Sequence, residues 1–158
     1  MENKSPNIHF REIDTNTVVD VCRLSDTLKD HQKRHVASNA VSIAQAHFDD
    51  DAWFRAIYAD DTLVGFIMLD FGSDDDEDSD PPSAFLWRFM IGGEFQGKNY
   101  GKLAMARLFE QLRGQGYSEL LTSCSTDDNG PLNFYKGLGF IENGEWYDDE
   151  IGLTRKLR

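Results

Sequence analysis

Glu94-Phe95-Gln96-Gly97-Lys98-Asn99-Tyr100-Gly101-Lys102 stands between an apolar run, Phe85 to Ile91, and a helical pattern that starts near Leu103. Backbone N–H groups in such a strand-to-helix loop turn inward, and the helix N-terminus adds partial positive charge. Both favour a bound phosphate. Glycine permits the positive φ that gathers the amides, and asparagine tolerates the same region. A glycine-rich turn with no ligand accounts for the loop equally well when it is read alone.

The chain on either side supplies the context. Ile8 to Ile13 alternates as a first strand. Asp14 or Thr15 is expected to cap a helix carrying Val18, Val19, Cys22, Leu24 and Leu28. His31 to Arg34 reads as a polar, basic interruption. Ser38 or Asn39 caps a second helix that the Asp49–Asp51 run ends. Trp53 to Tyr58 and Val64 to Leu69 form a hairpin around Asp60-Asp61. Ser73 to Pro82 is acidic and low in complexity, a loop between strands. The helix after the glycine loop carries Leu103, Ala104, Ala106, Leu108, Phe109 and Leu112, and Gly114 or Gly116 stops it. Glu119 to Ser123 is a short strand. Asp127 or Asp128 caps a last helix with Pro131 in its first turn and Gly139 at its end. Two strands around Asp148-Asp149 complete an α/β order with a mixed sheet.

Composition bounds the answer. The 158 residues suit one domain, 1–158, with 40% apolar and 28% charged residues. No run of 18 apolar residues is present, and Met1 to Phe10 is polar without an apolar secretory core. Cys22 and Cys124 have no metal-ligand spacing and read as buried thiols of a reducing cytoplasm. A cytoplasmic location and no resident metal are therefore expected. The formal charge is −12. Nine of the acids sit in two runs, Asp49–Asp51 and Asp74–Asp80; sixteen Lys and Arg against the remaining nineteen acids leave −3. Nucleic acid is a poor partner for such a surface, and so is a membrane; a cationic partner suits it. The run from Ser73 to Asp80 reads either as a solvated loop or as an electrostatic funnel for a polycation, without the spacing of an EF-hand.

Two chemistries compete for the glycine loop. Gly92, four residues, then Gly97-Lys98 approaches the Walker A pattern, with Asn99 where Ser or Thr should bind Mg²⁺. Phe66-Ile67-Met68-Leu69-Asp70 imitates a Walker B strand but precedes the loop. The other reading covers more of the chain. Gln96 to Gly101 resembles the pyrophosphate loop Gln/Arg-x-x-Gly-x-Gly/Ala of GNAT-type N-acetyltransferases, with Asn99 at the first glycine. Asn129-Gly130-Pro131-Leu132-Asn133-Phe134-Tyr135-Lys136-Gly137-Leu138-Gly139-Phe140 resembles that family's helix ending in Tyr-x-x-x-Gly-Phe. Gln32 to Ala46, Val64-Gly65-Phe66 with Trp87 to Ile91, and Gly144-Glu145 with Glu150 look like bacterial spermine/spermidine acetyltransferases.

The resemblance implies a mixed, mostly antiparallel sheet of six to seven strands, about four flanking helices and a splayed parallel pair. It implies acetyl-CoA as co-substrate, held by Phe89, Met90 and Ile91, by Gln96, Gly97, Lys98, Asn99, Tyr100, Gly101 and Lys102, and by Asp128, Asn129 and Tyr135. The amide contact to pantetheine falls on Asp128 with Asn129 beside it. A backbone N–H near Ile91 would stabilise the developing oxyanion. Tyr135 is the expected general acid, since a phenol at about 10 lies close to a thiol at about 8.5. Gln32, Asn39, Trp87 and Glu150 are expected at the acceptor, a small-molecule amine with a polyamine as first choice. Glu150, Glu145 and Asp70, or His31, His35 and His47, are the candidates for the base. Cys124 is taken as a buried strand residue rather than a nucleophile. A homodimer is in keeping with the family, and the alternatives are a non-catalytic acyl-CoA-binding module of the same fold or an acetyltransferase acting on an aminoglycoside, an amino acid or a protein N-terminus.

Overall fold

The computed structural model describes residues 5–72 and 83–158. The acidic run 73–82, for which loop and funnel readings stand above, lies outside the described residues. Seven strands order as β1 (Ile8–Arg11), β2 (Ala52–Ala59), β3 (Thr62–Asp70), β4 (Ser83–Ile91), β5 (Glu119–Cys124), β7 (Glu150–Lys156) and β6 (Ile141–Tyr147) across one sheet. Among the described residues only β4 and β5 run parallel; every other neighbouring pair is antiparallel. The helices are α1 (Val18–Arg23), α2 (Asp30–Lys33), α3 (Asn39–His47), α4 (Tyr100–Gly114) and α5 (Leu132–Gly137), with a 3-10 turn at Leu24–Thr27 after α1 and another at Gly93–Phe95.

Alternation along the strands creates two cores. Ile67, Leu69, Leu86, Leu120 and Leu153 pack beneath α4 and α5, which add Ala104, Leu108, Leu112 and Tyr135. Ala56, Tyr58, Phe66, Met68 and Met90 face the other way, against Val21, Leu24 and Ile43 of the N-terminal helices.

The parallel pair is short, and the reason is local. Ser83 to Leu86 pairs with Glu119 to Thr122, and the pairing stops there. On the other side of β4, Met68 pairs with Arg88 while Leu69 pairs with Leu86. Trp87 is therefore an extra residue, a β-bulge that bends β4 away from β5. Thr122 Oγ1 donates to Leu86 O at 2.9 Å, satisfying a carbonyl at the parting point. Gly65 keeps the far part of β4 in place: a Cβ there would lie 2.4 Å from Met90 O, so only glycine lets the two backbones meet.

Several local expectations shift by a residue or an element. Asp14 Oδ1 accepts from the N–H groups of Asn16 and Thr17, but regular helix begins at Val18, after that Asx turn. Ser38 caps α3 by accepting from Val41 N. The basic interruption at His31 to Arg34 is instead mostly helix, α2, because Gln32 Oε1 reaches back to Lys29 N at 3.0 Å. Neither Asp127 nor Asp128 caps α5. Pro131 is the N-cap residue, and its carbonyl accepts from Tyr135 N. The end of α5 is a Schellman motif. Phe140 N donates to Tyr135 O and Gly139 N to Lys136 O, with Gly139 at φ +96°. The Tyr135 and Phe140 rings meet edge-on at 5.3 Å, the hydrophobic contact that goes with this cap.

Candidate active site

The divergence of β4 from β5 leaves Arg88 to Ile91 without a strand partner on the β5 side among the described residues. Gly92 N donates to Val64 O on β3. By strand alternation the Ile91 N–H therefore points the opposite way, into the opening. Beyond the strand, Gly97 adopts φ +76° and Asn99 φ +73°. Two left-handed residues in three tighten the loop so that the amides from Gly97 to Lys102 crowd toward the start of α4. None of those six N–H groups donates to a backbone or side-chain acceptor among the described residues. Asn99 is the α4 N-cap residue and its side chain makes no cap bond, so the exposed helix end stays open to a ligand.

A cleft of about 630 Å³ joins these features. Phe89, Met90, Ile91, Gln96, Gly97, Asn99, Tyr100, Gly101, Lys102, Asn129 and Tyr135 all line it, together with Gln32 from α2. Lys98 is exposed beside the loop, and Asp128 lies outside the cleft. Asn129 and Asn133 carry the amides that face it instead. Gln96 organises the entrance. Its Nε2 donates to Ile91 O at 2.9 Å, and its Oε1 accepts from Gln32 Nε2 at 2.8 Å. Thr27 Oγ1 accepts from Gly93 N at 2.7 Å, a second tie between the N-terminal segment and the loop. Phe134 stacks on Phe89 with centroids 6.0 Å apart and planes 10° from parallel, forming an apolar wall.

Tyr135 is 7% exposed, with Thr122 and Cys124 of β5 in the same core. Burial holds its phenol well above the ordinary tyrosine range; Cys124 adds to that, the adjacent Thr122 hydroxyl works against it, and Glu150 adds further. The phenol therefore stays protonated across the neutral range. Burial likewise pushes the Cys124 thiol up to about 11, with Glu150 adding to it, in keeping with a strand residue.

The acceptor candidates are scattered. Asn39 is fully buried; its Nδ2 donates to Val21 O at 2.8 Å and contacts Met90 Sδ at 3.7 Å. Trp87 is the bulge residue and packs into the second core. Glu150 opens β7 and accepts from Ser123 Oγ at 3.0 Å. Among the base candidates, His35 lines the cleft. Asp70 ends β3 opposite Phe85, six residues along β4 from Ile91, or about 20 Å. It clusters there with Asp49 and Asp51.

The residues missed by reading the sequence are Asn133, Phe134 and Thr122. A signal existed for two of them. Thr122 is the polar member of the in-facing series Leu120, Thr122 and Cys124. Asn133 stands four residues before Gly137 on one helical face, and both line the cleft.

Comparison with known proteins agrees with this geometry. The model of the acetyltransferase (GNAT) family matches residues 21–140. A stretch of 71 residues is 37% identical to the uncharacterized N-acetyltransferase ycf52 of Gracilaria tenuistipitata var. liui, covering 41% of this chain and 37% of that protein. The match thus spans little more than a third of that relative. The spermine/spermidine N(1)-acetyltransferase of Bacillus subtilis (strain 168) is 29% identical over 104 residues, 64% of this chain and 68% of that protein. Among solved structures, the PaiA N-acetyltransferase of Thermoplasma acidophilum, in complex with coenzyme A, superposes with a TM-score of 0.63 at 19% identity over 95% of this chain and 99% of that one. No helix among the described residues is long and apolar enough to cross a membrane.

Proposed function

This chain belongs to the GNAT acetyltransferase family, whose members use acetyl-CoA, and we propose that it moves the acetyl group of acetyl-CoA to a primary amine of a small molecule. One observation carries the reading: the glycine loop with its open amides, the edge of β4 that has no partner among the described residues, and Tyr135 border one cleft. The loop amides and the start of α4 suit the diphosphate, with Lys98 and Lys102 adding charge. The β4 edge suits the pantetheine amides as an added strand. The Ile91 N–H suits the thioester oxygen as negative charge develops on it. Tyr135 then protonates the departing sulfur. No covalent enzyme intermediate is needed. We take residues 1–158 as one catalytic domain, since a single sheet orders every strand from Ile8 to Lys156.

For the acceptor we favour a polyamine. The similarity to the Bacillus subtilis spermine/spermidine enzyme and the formal charge of −12 support it. Thiol release from acetyl-CoA across a panel of amines tests the reading. Release should be fastest with spermidine-like amines, and their kcat/KM should fall as salt rises, because exposed charges are screened over about 8 Å at physiological ionic strength. Coenzyme A binding with no turnover on any amine would leave an acyl-CoA-binding module instead.

A further inference from the structure

Leu153 and Leu157 lie in the core beneath α4 and α5, and alternation puts Arg155 on that same face between them. The register agrees, since Arg155 pairs with Leu120, which is fully buried in that core. A charged side chain is costly in an apolar series unless its donors are engaged. Arg155 Nε donates to Leu138 O at 2.9 Å, and Nη1 is bonded to Lys156 O. The guanidinium carbon lies 4.8 Å from the centre of the Phe109 ring on α4. Arg155 also borders a surface cavity of about 520 Å³ beside α4 and β1, so its charge keeps access to water. Leu138 is the C-cap residue of α5, the helix that carries Tyr135. With six residues, α5 is too short to hold its shape alone. Its cap satisfies Tyr135 O and Lys136 O from within, and the arginine holds the next carbonyl, at the helix end where the dipole favours a cation. Gly139 makes room for this contact: a Cβ there would lie 2.9 Å from Arg155 Nε. Aromatic rings make a second connection. Phe109, beneath the guanidinium, meets Phe140 at 6.1 Å, and Phe140 meets Tyr135 at 5.3 Å. An ion pair from Lys136 to Glu142 at 3.8 Å also reaches α5, but both side chains are exposed and such pairs contribute little.

We propose that Arg155 is a positioning residue for the acetyl transfer: by tying the end of α5 to β7 and α4, it fixes where Tyr135 stands at the wall of the cleft. This rests on the acetyltransferase reading above, in which Tyr135 gives its proton to the departing sulfur. Arg155 does not line that cleft and acts through the helix end. Gly137 and Leu138, which do line it, belong to the same end. Transfer of a proton is sensitive to small misplacements of the donor, so a loosened α5 costs turnover before it costs binding.

The test is a double-mutant cycle on the intact chain, with acetyl-CoA and the best amine of the panel. Wild type must release thiol and Tyr135→Phe must slow that release; failure of either overturns the reading above and this assignment with it. Arg155→Met, which keeps an unbranched side chain but no donor and no charge, should then lower kcat about 10- to 100-fold, the span that a hydrogen bond to a charged group is worth. The KM for acetyl-CoA should change far less, and calorimetry should still count one coenzyme A per chain. In the Tyr135→Phe background the same substitution should leave kcat nearly unchanged, because the hydroxyl that Arg155 positions is gone. An arginine that only stabilises the fold would lower Tm and the fraction of chains that bind, equally in both backgrounds. If Arg155→Met does not fold, Arg155→Lys, which keeps the charge without the planar fork, runs the same cycle with a smaller loss. An equal loss of kcat with and without the Tyr135 hydroxyl, no loss at all, or a loss confined to KM overturns the assignment of Arg155 alone.

Discussion

Gln32 Nε2 donates to Gln96 Oε1 at 2.8 Å across 64 residues of sequence, linking α2 to the loop that opens the cleft. Gln96 in turn holds Ile91 O, so an N-terminal helix and the β4 edge share one side chain. Gln32→Ala should leave Gln96 with only the Ile91 bond. A net hydrogen bond contributes about 0.5–1.5 kcal/mol, so the KM for acetyl-CoA should rise about 3- to 10-fold with a smaller change in kcat. Steady-state kinetics at saturating amine measures this. An unchanged KM would make the link incidental.

Gly101→Glu should abolish coenzyme A binding while sparing the fold. Gly101 has no positive φ, and a Cβ there meets nothing nearer than Phe134 Cζ at 3.4 Å. The backbone therefore tolerates a side chain, and the damage comes from bulk and negative charge at the helix N-terminus. Calorimetry should show no heat of binding at concentrations that saturate wild type, with circular dichroism unaltered. Equal affinity in both proteins would reduce the loop to a turn.

Tyr135→Phe removes one oxygen and keeps the ring that packs on Phe140. The helix end should survive, with Tm lowered by no more than about 2–4 °C for a loss near 1 kcal/mol. Turnover in a chemistry-limited assay should fall about 10²- to 10⁴-fold, the usual span of general acid–base contributions. Coenzyme A affinity should stay within a factor of two or so, about 0.4 kcal/mol. A wild-type turnover number in the variant would remove the phenol from the chemistry.

Cys124 makes stability depend on pH at the alkaline end. Its thiol is pushed up to about 11 by burial, whereas an unfolded cysteine titrates near about 8.5. The folded state therefore holds its proton over a range in which the unfolded chain loses it. The contribution to stability is complete below about 8.5 and is lost as pH rises toward 11. Urea midpoints should fall across that window, and the fall should be shallower in Cys124→Ala, whose midpoint starts lower because of the cavity. Parallel slopes in the two proteins would contradict the assignment. The Tyr135 phenol, raised in the same direction, adds to the decline at the upper end of the range.

The local pattern along the chain determined a great deal by itself. Alternation placed the hairpin around Asp60-Asp61, and the positive φ of Asp60 meets a need that aspartate tolerates. Tyr135-Lys136-Gly137-Leu138-Gly139-Phe140 specifies a helix end because every bond of that cap lies within six residues. Gly97 and Asn99 are legible as left-handed positions for the same reason. Tertiary structure decided what depends on register between distant strands. Trp87 becomes a bulge only against Met68 and Leu69 of β3, and that bulge is what parts β4 from β5. Asn39, expected at the acceptor, is sealed in the second core, because α3 packs its N-terminus against Val21 and Met90. Ser123 and Glu150 lie 27 residues apart, and nothing local pairs them; the antiparallel register of β5 on β7 does. Short-range hydrogen bonds and periodicity are written in the order of residues, whereas side chains from separate strands meet only once the sheet has chosen its register.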